Sequence, residues 1–219
     1  MVRNTNIPVC VILGLFYFPL AALFYWLSGQ CLTYKSSRLY RLLIYLHHGD
    51  WYKERLEKTI RYLKLKKTSR VLEVGCGTGD LSKRLLATGV SLKAIDINKR
   101  FIEMLRGYCE ETFDLCNITS LNYQDARFDR VIMIDVLHHL PNDEAYKKAL
   151  FEIKRVLKPD GYAIIWEGSN PGYEKFLPMG LRKWVMSVLD GETNTTDIHE
   201  FQEEFGLDEI EPHCFRMKK

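Results

Sequence analysis

The chain reads as an α/β protein: a doubly wound, mainly parallel sheet with helices on both faces, preceded by an N-terminal transmembrane helix. Three observations carry that reading. Short runs rich in β-branched residues alternate along residues 50–219 with stretches of helical periodicity, and parallel strands need such crossover helices. One of those runs passes through closely spaced glycines into a helix. Ahead of them, Ile7 to Leu27 are 21 consecutive uncharged, mostly apolar residues. At about 1.5 Å per helical residue they cover a hydrocarbon core about 30 Å thick.

The chain divides on this basis into a membrane anchor (1–30), a juxtamembrane segment (31–49) and a folded domain (50–219). A secretory signal has an apolar region of about 7–15 residues followed by small residues. Trp26, Leu27 and Ser28 ahead of Gly29 match that poorly, so an uncleaved anchor is favoured over a signal peptide and over a buried or interfacial hairpin. Arg3 stands on one flank; Lys35, Arg38 and Arg41 follow the other, with no acid before Asp50. The positive-inside rule then places the domain on the cytoplasmic side of a single-pass protein. Residues 38–46 mix arginine with large apolar groups; they suit the headgroup layer and equally an ordinary packing helix. Beyond residue 49 there are 27 basic and 28 acidic side chains. That balance argues against a nucleic-acid binder, which clusters basic excess on its folded domain. The six cysteines are scattered with no CxxC pair, so the pattern points to reduced thiols and to neither a metal site nor a disulfide framework.

Within the domain, Leu56, Ile60 and Leu63 recur at helical spacing before a basic turn that holds Lys64, Lys66, Lys67 and Arg70. The clearest strands are Val71–Val74, Leu92–Ile95, Val131–Ile134 and Ala163–Trp166. Phe101, Met104, Leu105 and Tyr108 fit a helix opened by Asn98. Tyr146, Ala149, Leu150, Ile153, Val156 and Leu157 fit another opened by Asp143. Pro159, Asp160 and Gly161 are expected to stop that helix and turn the chain. A last helix is expected over Asp197–Glu204. The apolar segment Pro171–Leu189 fits either a lid over a greasy pocket or one packing helix.

The most informative stretch runs from Val71 to Asp80, with glycines at 75, 77 and 79. Glycine permits a tight turn and lets a ligand approach bare backbone. A dinucleotide fingerprint would put its third glycine one residue later, where Asp80 stands. The acid–GxGxG pattern of Glu73, Gly75, Gly77 and Gly79 resembles instead the first motif of class I S-adenosylmethionine-dependent methyltransferases. The resemblance covers residues 50–170 and implies a Rossmann-like fold with S-adenosylmethionine as cofactor. It implies that Asp96, with Ile97 beside it at the end of the second strand, holds the ribose, since a carboxylate there accepts from both hydroxyls. Asn117 and Ile118 fall where many small-molecule members place Asp and Ala against the adenine. Asp135 ends the fourth strand, where the resemblance places the methionine end of the cofactor. The plainer readings are that Glu73 anchors the loop through backbone N–H groups, that Asn117 is a turn residue, and that Ile118 is core.

His138 and His139, just past Asp135, are the candidate bases, since imidazole titrates near neutral pH; Glu167 is a second candidate. The chain lacks the Asn/Asp-Pro-Pro-Tyr/Phe signature of nucleobase and glutamine methyltransferases after the fourth strand. A small-molecule or lipid acceptor is therefore expected, and tethering favours an isoprenoid or quinone-like one. Only about a dozen residues follow the last expected helix, room for one strand where the family has two. That shortfall and Asn117 leave a second reading open, a catalytically silent membrane-bound scaffold with the same fold. Asn117-Ile118-Thr119 and Asn194-Thr195-Thr196 are glycosylation sequons, and a glycan at either would place the domain in a lumen.

Overall fold

The computed structural model describes residues 52–167 and 197–219. The expected anchor, the juxtamembrane segment, the apolar segment Pro171–Leu189 and the sequon at Asn194 lie outside the described residues. Among the described residues, no helix is long and apolar enough to cross a membrane. The chain falls into two compact units, one of residues 1–55 and 170–192, the other of Leu56–Ser169 and Thr193–Lys219. Of the first unit only residues 52–55, the start of a helix, are described. The second carries the sheet and the candidate site.

Helix α1 (52–63) leads to β1 (Arg70–Val74), α2 (Asp80–Ala87), β2 (Ser91–Asp96), α3 (Lys99–Arg106) and β3 (Phe113–Leu115). Then come β4 (Phe128–Ile134), α4 (Asp143–Val156), β5 (Leu157–Trp166), the short α5 (Gln202–Phe205), β6 (Leu207–Glu211) and β7 (Cys214–Lys218). The strands form one seven-stranded sheet in the order β3-β2-β1-β4-β5-β7-β6. Strands β1 to β5 pair in parallel, and β7 is antiparallel to both β5 and β6. The strand order reverses between β1 and β4, and in open α/β sheets ligands bind beyond the C-terminal strand ends at that switch point.

Side chains alternate across the sheet. Leu72, Val74, Val131, Met133, Ala163 and Ile165 form one face and share a core with Tyr146, Ala149, Leu150, Ile153 and Val156 of α4. Each of the buried Leu and Ile side chains contributes about 1.5–3 kcal/mol by leaving water. On the opposite face Glu73 meets Ser82 of α2 at 2.6 Å. Tyr162 donates its hydroxyl to Tyr62 O at 2.7 Å, and Arg130 donates to Leu63 O at 2.8 Å. Those two bonds fix the end of α1.

Asn98 caps α3 as expected, its side chain accepting from Arg100 N at 3.0 Å. Four expectations need correction. The cap of α4 is Asn142, which accepts from Ala145 N at 2.9 Å, and Asp143 is a first-turn acid. Leu157 begins β5, which runs straight through Pro159, Asp160 and Gly161. That triplet forms an irregularity in the ladder to β4 rather than a turn. A Cβ at Gly161 would lie 2.9 Å from Lys158 O and 3.2 Å from Asp129 O, which is why glycine stands there. Third, the sheet is not one strand short: β6 and β7 both fit the C-terminal dozen residues, joined only by Pro212 and His213. The expected helix over Asp197–Glu204 is a 3₁₀ turn, Ile198–Phe201, leading into α5.

Candidate functional site

Beyond Val74 the chain passes through Gly75, Gly77 and Gly79 at φ values of 71°, 50° and 78°, a region that side chains disfavour. The turn is held by Gly75 N and Cys76 N, which both donate to Ile95 O at 2.8 and 3.0 Å. The three glycines have different neighbours. A Cβ at Gly75 would sit 2.3 Å from Val136 Cγ2, and one at Gly79 would sit 2.4 Å from Leu105 Cδ2. At Gly77 a Cβ would meet nothing within 4 Å. The outer two glycines admit the protein's own side chains; the middle one borders open space.

Asp96, at the end of β2, closes the cradle. Its Oδ2 accepts from Gly77 N at 2.9 Å and its Oδ1 from Asn98 N at 2.7 Å. Burial raises its pKa above the usual carboxylate range, against the pull of those two N–H groups and of the nearby His139. Ile97 is 65% exposed, an apolar surface beside a carboxylate and a bare peptide. These are the group types that an adenosyl ligand needs: acceptors for hydroxyls, an apolar face for a base, and backbone open to close approach.

Glu73 lies beneath the loop, 4% exposed, and accepts the Ser82 hydroxyl at 2.6 Å. Burial pushes its carboxyl up to about 8, with Ser82 opposing and Asp96 and Asp80 adding to the rise. It anchors the loop through a side chain of α2, where its plainer reading expected backbone N–H groups. Asn117 is exposed, and its Oδ1 accepts from Thr119 N at 2.9 Å and from the Thr119 hydroxyl at 3.0 Å. That is the turn geometry of its plainer reading. Ile118 is buried in the core with Val74, Ile95 and Leu121.

The exit of β4 brings the other expected residues together. Asp135 adopts φ 54° and donates its N–H to Trp166 O at 2.9 Å. The 3₁₀ turn Leu137–His139 follows. Glu167, buried just past β5, grips that turn: Oε2 accepts from Leu137 N at 2.8 Å and from Val136 N at 3.3 Å, and Oε1 lies 2.6 Å from His138 Nδ1. The rings of His138 and His139 are 4.2 Å apart. Thus Glu167 and His138, separate candidates in the sequence, form one dyad. An acid one residue past a strand end and imidazoles just past Asp135 were the available signals; their pairing across 29 residues had no signature.

Comparison with known proteins bears on this arrangement. The family model described as a methyltransferase domain matches residues 72–165. A demethylmenaquinone methyltransferase of Staphylococcus aureus is 30% identical over 173 residues, covering 73% of this chain and 67% of the relative. The chain belongs to the class I S-adenosylmethionine-dependent methyltransferases. The cofactor of this methyltransferase family is S-adenosylmethionine. A second relative of the same name, from Tropheryma whipplei, is 32% identical over 123 residues, 54% of this chain and 49% of that protein. The chain thus spans about half the length of one such relative and two thirds of the other. Among solved structures, the YcgJ protein of Bacillus subtilis is similar with a TM-score of 0.59 at 22% identity, covering 71% of this methyltransferase chain and 69% of its own. That likeness supports the Rossmann-like fold.

Proposed function

We propose that this chain transfers a methyl group from S-adenosylmethionine to a small, hydrophobic, quinone-like acceptor, and that its domain works from the cytoplasmic face of a membrane. One observation carries the reading: Asp96 is bonded to the bare Gly77 peptide at 2.9 Å, at a point where a Cβ on Gly77 would meet nothing within 4 Å. Asp96 holds the ribose hydroxyls, Gly77 admits the ligand while Gly75 and Gly79 shape the loop around it, and Ile97 packs against the adenine, with Asn117 and Ile118 at its far edge. Glu73 supports the loop from below, and Asp135 meets the ammonium group.

The bound cofactor supplies an electrophilic methyl on sulfur. The chain's residues orient the two reactants and exclude water, which provides up to about 7–11 kcal/mol of the barrier reduction. A reduced quinone carries hydroxyls whose proton must leave as the ring becomes nucleophilic, and His138 or His139 takes it. The relatives' names support a quinone-like acceptor. The apolar stretch Ile7–Leu27 supports membrane anchoring, which concentrates the domain where such acceptors dissolve. The basic flank supports the cytoplasmic orientation.

A silent scaffold remains the second reading, favoured by the Asn117 oxygen being engaged by Thr119; its other motive, a truncated sheet, is gone. Labelled S-adenosylmethionine incubated with the full chain and reduced demethylmenaquinone in phospholipid vesicles separates the two. Mass spectrometry is expected to find a product heavier by one labelled methyl. Cofactor binding without any methylated product would favour the scaffold.

A further inference from the structure

We propose that Glu167 is a positioning residue that fixes the proton of His138 on Nδ1 and so makes Nε2 the basic nitrogen of the imidazole. The bonding pattern carries this. One Glu167 oxygen accepts two consecutive backbone N–H groups, from Val136 at 3.3 Å and Leu137 at 2.8 Å. The carboxylate is thereby held in place, and its other oxygen stands 2.6 Å from His138 Nδ1. An ionised carboxylate only accepts hydrogen bonds, so the nitrogen facing it carries the hydrogen. In a neutral imidazole the remaining nitrogen is then the acceptor. The grip spans three consecutive residues, the first of which, Val136, packs over Gly75 of the glycine loop. The carboxylate that orients the imidazole therefore also holds the turn that borders the cofactor cradle.

The charges around the pair come from every neighbouring element. His139 lies beside His138 on the same turn, its ring tilted by 51°, and acts on Asp96 of β2. Tyr146 of α4 feels both Glu167 and Asp197. Asp135 precedes the turn. Glu167 is the group placed at hydrogen-bond distance from Nδ1. In the reaction, an acceptor hydroxyl passes its proton to Nε2, leaving an oxyanion and an imidazolium whose Nδ1–H still points at Glu167. The carboxylate takes no proton. The use of that nitrogen rests on the methyl transfer proposed above; its tautomer does not.

The substitution Glu167→Gln discriminates positioning from mere support. The glutamine carbonyl keeps accepting the backbone N–H groups, while its NH₂ faces Nδ1 and requires an acceptor there. The full chain labelled with ¹⁵N-histidine is recorded by long-range ¹H–¹⁵N correlation, with His138→Gln assigning the signals among six histidines. Wild type is expected to show the Nδ1–H form. Glu167→Gln is expected to show the Nε2–H form, with a His138 pKa lower by about 1 unit or more. An Nε2–H form in wild type overturns the proposal, even if the variant fails to fold. An unchanged tautomer and pKa in a folded variant overturns it as well. With the reduced quinone as probe, Glu167→Gln is expected to lower kcat about 10-fold or more and to shift the low-pH limb of the rate profile with the measured pKa. The apparent KM for cofactor should stay unchanged. If wild type shows the Nδ1–H form yet methylates no quinone, the functional reading fails and the positioning stands.

Discussion

Alanine placed singly at Gly75, Gly77 and Gly79 separates glycines that serve the fold from the one that serves a ligand. All three sit at positive φ, between 50° and 78°, so each alanine costs about 1–2 kcal/mol of backbone strain. At Gly75 and Gly79 the new methyl also lands 2.3 Å from Val136 and 2.4 Å from Leu105, and overpacking of that kind costs about 1–3 kcal/mol more. Gly75→Ala and Gly79→Ala are therefore expected to lose about 2–5 kcal/mol of stability. Gly77→Ala, whose methyl meets nothing within 4 Å, should lose about 1–2 kcal/mol and keep its fold. Its methyl projects into the space assigned to the cofactor, so affinity should fall about 10-fold or more, at least 1.4 kcal/mol. Urea denaturation gives the first quantity and calorimetric titration with S-adenosylmethionine the second. Wild-type affinity in Gly77→Ala, or equal destabilisation by all three alanines, would refute this division of roles.

Three further expectations follow from single residues. Burial raises Glu73 to about 8, so the stability its neutral form contributes is complete below about pH 4.5 and is lost as pH climbs through 8. Glu73→Gln keeps an acceptor for Ser82 and escapes that loss; its urea midpoint should overtake wild type between pH 5 and pH 8.5, and parallel curves would speak against a buried carboxyl. At Asp135, with φ 54°, Asp135→Gly should leave stability unchanged or raise it by about 1 kcal/mol while weakening cofactor binding, whereas undiminished binding would remove Asp135 from the site. His199 is raised chiefly by its hydrogen bond to Asp197, opposed by burial and supported by Glu209. Its contribution is full below about pH 6.5 and fades as pH rises past the raised value. Because the ring is 41% exposed, thermal melts of His199→Gln should lose only a few tenths of a kcal/mol of pH dependence near neutrality.

The parallel centre of the sheet was legible because its buried strands are short, β-branched, mostly apolar runs bounded by turn signals, as in Val71–Val74, interrupted only by Glu73, and Val131–Ile134. Asn98 could be read as a cap because its side chain acts on the very next turn. Elements set by distant contacts were harder. Strand β3 is three residues long and too short to show alternation. Leu207–Glu211 carries three acids and reads as solvent-exposed chain, yet charge suits an edge strand that must not pair with another molecule. A two-residue connection to β7 then completes the sheet in a space that seemed to hold one strand. Pro159 and Gly161 carried an ordinary turn signature, yet they lie inside β5 at the register shift against β4, which only the pairing of the two strands reveals. In the site, the loop and Asp96 could be read together because motif spacing encodes them. The dyad of Glu167 and His138 could not, since the parallel pairing of β4 with β5 creates it.

Calorimetric titration of S-adenosylmethionine into the full chain, beside Asp96→Ala shown by circular dichroism to be folded, asks whether Asp96 and the bare Gly77 peptide hold the cofactor. The expectation is one cofactor bound per wild-type chain, and affinity reduced about 10-fold or more in the variant as the acceptor for the ribose hydroxyls disappears. Equal affinity in both proteins, or no binding by the wild-type chain, would contradict it.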